Sequence, residues 1–286
     1  MKNTLLSIGH GYAAARVARA LPEGWRVIGT TRSADRAGAL RDQGVEPVIW
    51  QAGGPVAALA EAFARATHVI SSVAPGERGD PVLPVLAALP APRLRWLGYL
   101  TATSVYGDSG GGWLDEHSPT EPTSPRGRGR LAAERAWQGF GAERGVGVAV
   151  FRIAGIYGPG RSAIDQLRAG TARRVVKPGQ VFNRIHVTDL GRIVAAAAVQ
   201  AATGPFLLCD GNPAPPQDVV AHAAELTGLP CPPEVPFEQA QMSPMARSFY
   251  SENKRTRSVR VGPELGVSLL YPDYRAGLPA IAAGET

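Results

Sequence analysis

The chain has 286 residues, 44% of them hydrophobic and 19% charged, a composition typical of a folded globular protein and not of a disordered one. No apolar run approaches the roughly 18 residues of a membrane span, and the two cysteines have no paired spacing. Because the first residues lead directly into a strand-like run, we expect no signal peptide and a cytoplasmic protein. The net charge of +6 comes from scattered arginines without an aromatic-interleaved basic platform, which argues against nucleic acid and favours small anionic ligands.

Short apolar strands alternate with helices along the first half of the chain, at the spacing of βαβ units. In chain order, the sequence predicts a strand at Thr4–Ile8, a helix at Ala13–Ala20, a strand at Trp25–Gly29, a helix at Arg36–Gln43, a strand at Val45–Trp50, a helix at Pro55–Ala66, a strand at His68–Val73, a helix at Pro81–Leu89, a strand at Leu94–Leu100, a helix at Arg130–Gly141 and a strand at Gly147–Ile153. The pattern predicts an α/β fold whose doubly wound parallel sheet is covered on both faces.

Beyond Gly155 the alternation loosens and prolines accumulate, which indicates a smaller unit built from returning segments. We therefore predict a main α/β domain formed by residues 1–155 and 179–211. Residues 156–178 and 212–286 are predicted to form a smaller lobe. A ligand would then bind in the cleft between the two parts, at the carboxyl ends of the strands.

The first predicted strand runs into Gly9-His10-Gly11-Tyr12-Ala13-Ala14, which opens the first helix. This strand–turn–helix context is the one that a dinucleotide fingerprint requires. Gly9 permits a tight turn, Gly11 leaves room for a pyrophosphate, and Ala14 replaces the third glycine of the fingerprint. The amides at the start of the helix would bind the pyrophosphate. The alternative is a tight turn that only packs the helix onto the strand.

The second predicted strand ends in Thr31-Arg32-Ser33, where an NAD site usually has an acidic residue for the ribose hydroxyls. Asp35 is a helix-entry residue by its position. Arg32 and Ser33 can instead hold a 2′-phosphate, with Arg36 as a weaker second candidate. The sequence therefore favours NADP(H) as the cofactor, with NAD as the other possibility. The alternative for Arg32 is a solvated surface arginine.

Several runs are similar to those of the extended short-chain dehydrogenases, the NAD-dependent epimerase/dehydratase family. They are Ser104–Asp108, Trp113–Glu116, Arg126–Glu134, Phe151–Arg161 and Asn183–Leu190. Near the C-terminus, Lys254–Arg255, Leu265–Val267 and Tyr271–Leu278 resemble the ending of atypical members of the family. The resemblance covers essentially the whole chain. It implies a Rossmann domain with a smaller substrate-binding lobe, Gln51 at the adenine, and Ser72 and Val73 beside the cofactor's ribose. Core packing explains residues 71–75 equally well.

The resemblance also implies where a catalytic Ser/Thr, Tyr and Lys would stand, and here those positions are Ala102, Arg126 and Arg130. The flanking hydroxyls of Thr101, Thr103 and Ser104 are candidates to replace the first, although they could equally pack or cap the strand end. Arginine cannot replace tyrosine as a proton donor, because a guanidinium stays charged at physiological pH.

Arg126 and Arg130 are four residues apart, so they share one helix face if the helix begins early enough. We hypothesise that they clamp a phosphate or carboxylate. The alternative is sequence drift after a loss of activity. A literal Tyr250-Ser251-Glu252-Asn253-Lys254 lies in the predicted lobe and is interpreted as a coincidence.

Other groups could serve the predicted cleft. Tyr106, Tyr157 and His186 are the remaining candidate proton donors, and Arg152, Arg184 and His186 could face the cleft, although a buried, hydrogen-bonded role is the commoner one for a residue such as His186. The five histidines have no metal-ligand spacing, so no metal is predicted.

Two functions remain open on the sequence alone. The chain could be an oxidoreductase or epimerase that acts on an anionic sugar or nucleotide-linked metabolite, or a non-catalytic sensor or scaffold that responds to NADP(H). A homodimer could form through an apolar face of the helix after Arg130, built from Leu131, Ala132, Ala136 and Phe140. That face could equally pack on the protein's own sheet.

Overall fold

The computed structural model describes residues 2–284 of the chain. The strands in this range are, in chain order, β1 (Thr4–Ile8), β2 (Arg26–Thr31), β3 (Glu46–Ile49), β4 (His68–Ser71), β5 (Trp96–Ala102), β6 (Trp113–Leu114), β7 (Gly147–Ile153), β8 (Gly155–Tyr157), β9 (Arg174–Val176), β10 (Arg184–His186), β11 (Gly204–Leu208), β12 (Glu234–Pro236) and β13 (Arg255–Thr256).

The α-helices are α1 (Tyr12–Ala20), α2 (Ala34–Asp42), α3 (Ala57–Arg65), α4 (Leu83–Ala87), α5 (Pro125–Glu143), α6 (Ala163–Arg168), α7 (Val187–Gln200), α8 (Pro216–Thr227), α9 (Pro244–Ser248), α10 (Val261–Leu265) and α11 (Tyr274–Ala282). Short 3-10 helices occupy Thr103–Tyr106 and Phe249–Ser251. Among the helices of residues 2–284, none is both long enough and apolar enough to cross a membrane.

Seven parallel strands form the central sheet in the order β11-β7-β5-β4-β1-β2-β3. The direction in which the sheet grows reverses at β1 and β4, where Ile8 pairs with Ser71. The carboxyl ends of these two strands therefore border the crevice in which open α/β sheets bind ligands. The predicted doubly wound α/β fold is confirmed.

Two apolar cores lie on opposite faces of this sheet. Helices α3, α4 and α5 cover one face, where Trp137 stacks on Tyr99 with ring centroids 5.6 Å apart. Helices α1, α7 and α10 cover the other, where Phe151 stacks on Phe206 at 6.0 Å. Burying a large apolar side chain contributes about 1.5–3 kcal/mol, so these two layers hold the strand ends in place.

Helix α5 begins at Pro125, five residues before the predicted start at Arg130. The Ser124 side chain accepts a hydrogen bond from the Gly127 amide at 3.1 Å and caps the helix. Proline fits the first helical position because its missing N–H would have no partner there. The prediction was late because the glycines at 127 and 129 weaken the helical pattern of this turn.

A smaller set of elements lies beyond the sheet, made of the parallel pairs β8–β10 and β9–β12 with helices α6, α8 and α11. Its core contains Tyr157, Ile164 and Leu278. Val261 and Leu265, which the predicted division assigns to the smaller lobe, pack in the core beneath the central sheet. The division into two parts stays a prediction.

The segment after β13 is fastened to the main sheet by a buried carboxylate. Glu116 accepts hydrogen bonds from the Leu207 amide at 3.1 Å, the Ser258 hydroxyl at 2.6 Å and the Val259 amide at 2.9 Å. Three donors satisfy a charge that would otherwise be costly to bury. These bonds hold the C-terminal segment beside the loop that follows β5.

Candidate functional site

The turn after β1 requires glycine at position 9. Gly9 has a φ of +79°, and a Cβ there would lie 2.9 Å from Ser72 Oγ and 3.0 Å from Val73 Cγ2. The Gly9 amide donates to Thr30 Oγ1 at 2.8 Å, and the Ser72 hydroxyl donates to the Gly9 carbonyl. The ends of β1, β2 and β4 therefore fix the shape of this turn.

Gly11 leaves the outer side of the turn open. A Cβ at Gly11 would have the Gly9 carbonyl oxygen, 3.8 Å away, as its near neighbour. Helix α1 starts at Tyr12 with no acidic residue in its first turn, and Ala14 packs against the sheet at 1% exposure. Open space in front of helix amides fits a pyrophosphate, which the helix dipole also favours.

His10 turns its ring inward, beneath the turn. The side chain is 3% exposed, and a Cβ on Gly29 would lie 2.8 Å from the ring. Burial, with a smaller effect of the Arg36 charge, lowers the pKa of His10 to about 4. The neutral ring of His10 therefore packs between α1 and β2, and its backbone amide donates to the Thr30 carbonyl at 3.0 Å.

Arg32 stands exposed at the end of β2, next to the open turn. Its neighbour Ser33 donates a backbone hydrogen bond to Thr31 Oγ1 at 3.3 Å and precedes α2, while Asp35 lies in the first turn of that helix. Within residues 2–284, no ion pair or side-chain hydrogen bond holds Arg32. Its guanidinium is free to bind a ligand.

The remaining predicted cofactor residues lie at the same edge of the sheet. The Trp50 amide donates to the Thr31 carbonyl at 2.8 Å, which places the exposed Gln51 beside the end of β2. Ser72 and Val73 are half-buried against Gly9. The glycine turn, Arg32, Gln51 and the Ser72–Val73 segment thus follow four neighbouring strands, β1, β2, β3 and β4, as the parallel order requires.

The 3-10 helix after β5 packs against the first turn of α5. A Cβ on Gly127 would lie 2.4 Å from the Ser104 carbonyl oxygen, so only glycine permits this approach. Thr101 is buried beside Glu134, while Thr103 and Ser104 are half-buried. The Ser104 hydroxyl has no hydrogen-bond partner within the described part of the chain.

The early start of α5 places Arg126 and Arg130 on one helix face. Arg126 is exposed, and its guanidinium lies 5.4 Å from the centre of the Phe249 ring. Arg130 is half-buried, and burial together with the Arg126 charge lowers its pKa, while Tyr99 and Glu134 oppose that effect. The Arg130 Nε is buried, and no described residue accepts a hydrogen bond from it.

Glu134, Arg152 and Tyr106 form a buried network that the sequence did not predict. Arg152 donates from Nε and Nη2 to Glu134 Oε2 at 3.2 and 3.0 Å, and from Nη1 to the Tyr106 hydroxyl at 3.1 Å. Arg152 thus faces the interior and not the cleft, contrary to the expectation. The available signal was a single charged residue within the apolar run of β7, because a buried charge needs a partner.

Tyr157 and His186 are also engaged inside the protein. The Tyr157 hydroxyl donates to the Asp273 carbonyl at 3.0 Å, and its ring meets His186 edge-on at 5.1 Å. His186 Nδ1 accepts from the Thr188 amide at 3.3 Å, and burial lowers the pKa of the ring to about 4. Arg184 donates from Nη1 to the carbonyls of Phe182 and Ala214.

The structure brings a distant segment to the start of α5. Phe249 lies on Arg126, and the Thr123 hydroxyl donates to Glu252 Oε1 at 3.2 Å. Lys254 is buried and pairs with Glu252, and the Tyr250 ring packs against Phe182 and Phe237. Residues 249–254 therefore lie against the start of α5, which no local sequence pattern indicated.

The helix face considered for a homodimer divides between interior and surface. Leu131 and Phe140 are buried in the protein's own cores. Ala132 and Ala136 are exposed. The two large side chains stabilise the chain's own fold, which was the alternative for this face, and the homodimer stays a prediction.

Comparison with known proteins agrees with this architecture. Residues 8–206 match the model of the NAD dependent epimerase/dehydratase family. A functionally unknown conserved protein from Silicibacter pomeroyi is 50% identical, with 99% of this chain and 100% of that chain covered and a TM-score of 0.88. No curated protein sequence matches the chain.

Two more distant structures share the fold. UDP-glucuronic acid 4-epimerase from Bacillus cereus, in complex with NAD, is 16% identical over 98% of this chain and 96% of that chain, with a TM-score of 0.75. dTDP-glucose 4,6-dehydratase from Bacillus anthracis, in complex with NAD, is 14% identical over 98% and 96%, with a TM-score of 0.77. With the family model covering most of the chain, the protein belongs to the NAD-dependent epimerase/dehydratase family.

Proposed function

We propose that the chain binds NADP(H) in preference to NAD(H), with the pyrophosphate on the turn Gly9–Ala14 and the 2′-phosphate on Arg32 and Ser33. One observation carries the preference: Arg32 is exposed at the end of β2, has no ion-pair partner among residues 2–284, and stands where the sequence has no acidic residue. A guanidinium binds phosphate through forked, charge-assisted hydrogen bonds. An acidic residue in this place would instead accept hydrogen bonds from the ribose and repel the phosphate.

The proposed second ligand is an anionic metabolite, either a sugar or a nucleotide-linked compound. Structures that share the fold support this class of ligand, since MoeE5 has been solved in complex with UDP-glucose and NAD and in complex with UDP-glucuronic acid and NAD. In this chain Arg126 and Arg130 are proposed to hold the anionic group. Like charges four residues apart cost a few tenths of a kcal/mol in a helix, and a shared anion offsets that cost.

The buried position of Arg130 adds to the argument for an anion. Its Nε has no protein partner within residues 2–284, and an unmade hydrogen bond of a buried donor costs about 1–3 kcal/mol. Both arginines also lie in the first two turns of α5, where the helix dipole favours negative charge. A carboxylate or phosphate between them would satisfy both effects.

Bound dinucleotide would supply or accept a hydride, and the chain's own residues would orient the substrate. Arg126 and Arg130 cannot give up a proton at physiological pH. Tyr106, Tyr157 and His186 are engaged in buried contacts. We therefore propose that any proton exchanges with water, with the Ser104 hydroxyl available to donate a hydrogen bond to the substrate oxygen.

Calorimetric titration with NADPH and NADH at one ionic strength tests the cofactor preference. We expect much tighter binding of NADPH, and a loss of about tenfold in NADPH affinity for Arg32→Ser. Arg41→Ser is the matched control, because it removes an equal charge from an exposed arginine at the far end of α2. If the unmodified protein binds NADPH and NADH with equal affinity, the proposal that Arg32 binds the 2′-phosphate is contradicted.

Titration of NADPH-saturated protein with UDP-glucose and UDP-glucuronic acid tests the anion clamp. We expect Arg130→Gln to weaken binding of a recognised ligand about tenfold. Arg135→Gln is the control, an exposed arginine further along the same helix. Unchanged affinity in Arg126→Gln and Arg130→Gln would contradict the clamp.

One specific observation favours a second candidate, a non-catalytic sensor or scaffold that responds to NADP(H). All three tyrosine and histidine candidates for proton transfer are buried and engaged, and Ala102, Arg126 and Arg130 occupy the family's catalytic positions. A sensor would bind NADPH without hydride exchange and would change its affinity for a partner with the redox state of the nucleotide. Hydride transfer to any sugar nucleotide would exclude this candidate.

A further inference from the structure

Tyr12 joins the glycine turn to a loop far along the chain. Its hydroxyl donates to the Pro159 carbonyl at 3.0 Å, and the Arg161 guanidinium lies 4.8 Å from the centre of the Tyr12 ring. Tyr12 is the first residue of α1, whereas Pro159 and Arg161 follow β8. Residues 158–161 are therefore held against the side chain of the residue that follows the glycine turn.

The loop is shaped to receive the Tyr12 side chain. A Cβ on Gly158 would lie 2.6 Å from the Tyr12 hydroxyl and 2.6 Å from Val187 Cγ1, so a larger residue would displace the contact. The Arg161 amide donates to the Gly158 carbonyl at 2.9 Å, and Ser162 caps α6 immediately afterwards. The backbone at Arg161 is thus fixed on both sides, which limits where its side chain can reach.

Two arginines, Arg16 and Arg161, and one carboxylate, Asp165, lie near Tyr12. Arg161 is exposed, and within residues 2–284 its side chain forms no ion pair and no hydrogen bond. Burial and the Asp165 carboxylate raise the pKa of Tyr12, and the charges of Arg16 and Arg161 oppose that effect. The Asp165 carboxylate accepts hydrogen bonds from the Ser162 amide and hydroxyl in the cap of α6, so the exposed Arg161 guanidinium is left to bind another anion.

We propose that Arg161 contacts the pyrophosphate of the dinucleotide from the side opposite the α1 amides, with Tyr12 as the residue that positions it. The proposal rests on dinucleotide binding as proposed above, and it adds a side chain to a site that otherwise offers backbone amides. The planar guanidinium can donate two parallel hydrogen bonds to one phosphate. The Tyr12 ring limits the orientations of that guanidinium, which lowers the entropy lost on binding.

Titrations with NADPH, ADP-ribose and adenosine 2′-monophosphate separate the pyrophosphate contact from the rest of the site. Arg161→Gln should weaken the binding of NADPH and of ADP-ribose about tenfold, and should make both affinities less dependent on ionic strength. Adenosine 2′-monophosphate, which lacks a pyrophosphate, should bind unchanged. Tyr12→Phe keeps the ring but loses one hydrogen bond, so it should lower the affinity for NADPH and ADP-ribose about threefold. Its affinity for adenosine 2′-monophosphate should stay unchanged.

Arg168→Gln is the matched control, since it removes an exposed charge from the last turn of α6. If Arg161→Gln binds NADPH as tightly as the unmodified protein, or weakens all three ligands equally, the pyrophosphate contact is wrong. If the unmodified protein binds neither NADPH nor NADH, dinucleotide binding itself fails. The two failures are distinguishable because the first requires a binding-competent parent protein.

Discussion

Glu134 and Arg152 show how much a single buried charge depends on its partner. Their side chains are 2% and 10% exposed, so each would be strongly destabilising alone. Tyr106 shares the guanidinium through a hydrogen bond and through its ring, 5.0 Å away. This network joins α5, β7 and the 3-10 helix after β5, and so places the residues of the candidate cleft.

Removing either Glu134 or Arg152 should strongly lower the stability of the folded protein. Glu134→Ala leaves the Arg152 charge buried, and we expect the free energy of unfolding to fall by about 3–5 kcal/mol in urea titrations. The exposed pair of Arg65 and Glu46 provides the control, and Glu46→Ala should cost less than about 1 kcal/mol. Similar costs for the two variants would show that burial of the first pair does not matter.

Asp210 is a second residue with an unusual environment. Burial raises the pKa of its carboxyl from 3.8 to about 7, although the Asn212 amide donates to it at 3.0 Å. The folded protein therefore binds this proton more tightly than the unfolded chain. The contribution of this group to stability is present below pH 3.8 and is lost as the pH rises through about 7.

Asp210→Asn removes this titration. Relative to the unmodified protein, the variant should gain stability with rising pH, by at most about 1.4 kcal/mol per pH unit between pH 3.8 and 7. Urea unfolding of both proteins across this range measures the difference. If the difference in free energy of unfolding between the variant and the unmodified protein does not change with pH, the raised pKa of Asp210 is contradicted.

At the scale of elements, the apolar alternation located every strand of the central sheet up to β7, with ends displaced by at most two residues. The start of helix α5 was displaced by five residues, because the helix begins at a proline and its first five residues contain two glycines. The cap at Ser124 decides where this helix starts, and therefore whether Arg126 is helical. Local capping chemistry thus controls the geometry of the candidate anion clamp.

Ser124→Ala should destabilise the protein by about 1 kcal/mol, because the Gly127 amide loses its acceptor. It should also weaken binding of an anionic ligand at Arg126, whose helical turn frays. Ser243→Ala removes the cap of the five-residue helix α9, in which no residue is buried, and should cost less. If Ser124→Ala and Ser243→Ala lower the stability equally in thermal or urea unfolding, Ser124 has no special role.

At the scale of the whole molecule, three buried histidines make stability fall in acid, against the opposite contribution of Asp210. Burial lowers the pKa values of His10, His68 and His186 to about 4, from 6.5 in an unfolded chain. The unfolded chain therefore binds these protons more readily. Their contribution to stability is present above pH 6.5 and is lost as the pH falls towards 4.

Urea unfolding at pH 6.5 and at pH 4 should show a marked loss of stability at the lower value. Between the two pH values, the free energy of unfolding of the His68→Gln variant should fall by less, because one of the three histidines no longer titrates. The proton uptake on unfolding, measured by calorimetry in buffers of different ionisation enthalpy, gives an independent check. An unchanged pH dependence in the variant would contradict a buried, neutral His68.

The sequence by itself determined the parallel α/β fold and the glycine turn, because both follow from local patterns: apolar runs of strand length, helical periodicity, and a glycine at a positive φ. The contacts that complete the candidate site were decided by the tertiary structure. Phe249 on Arg126, Tyr12 on Pro159 and Arg152 on Glu134 join segments that are distant in sequence. No local propensity encodes such pairs, since they depend on how the returning C-terminal chain packs against the sheet.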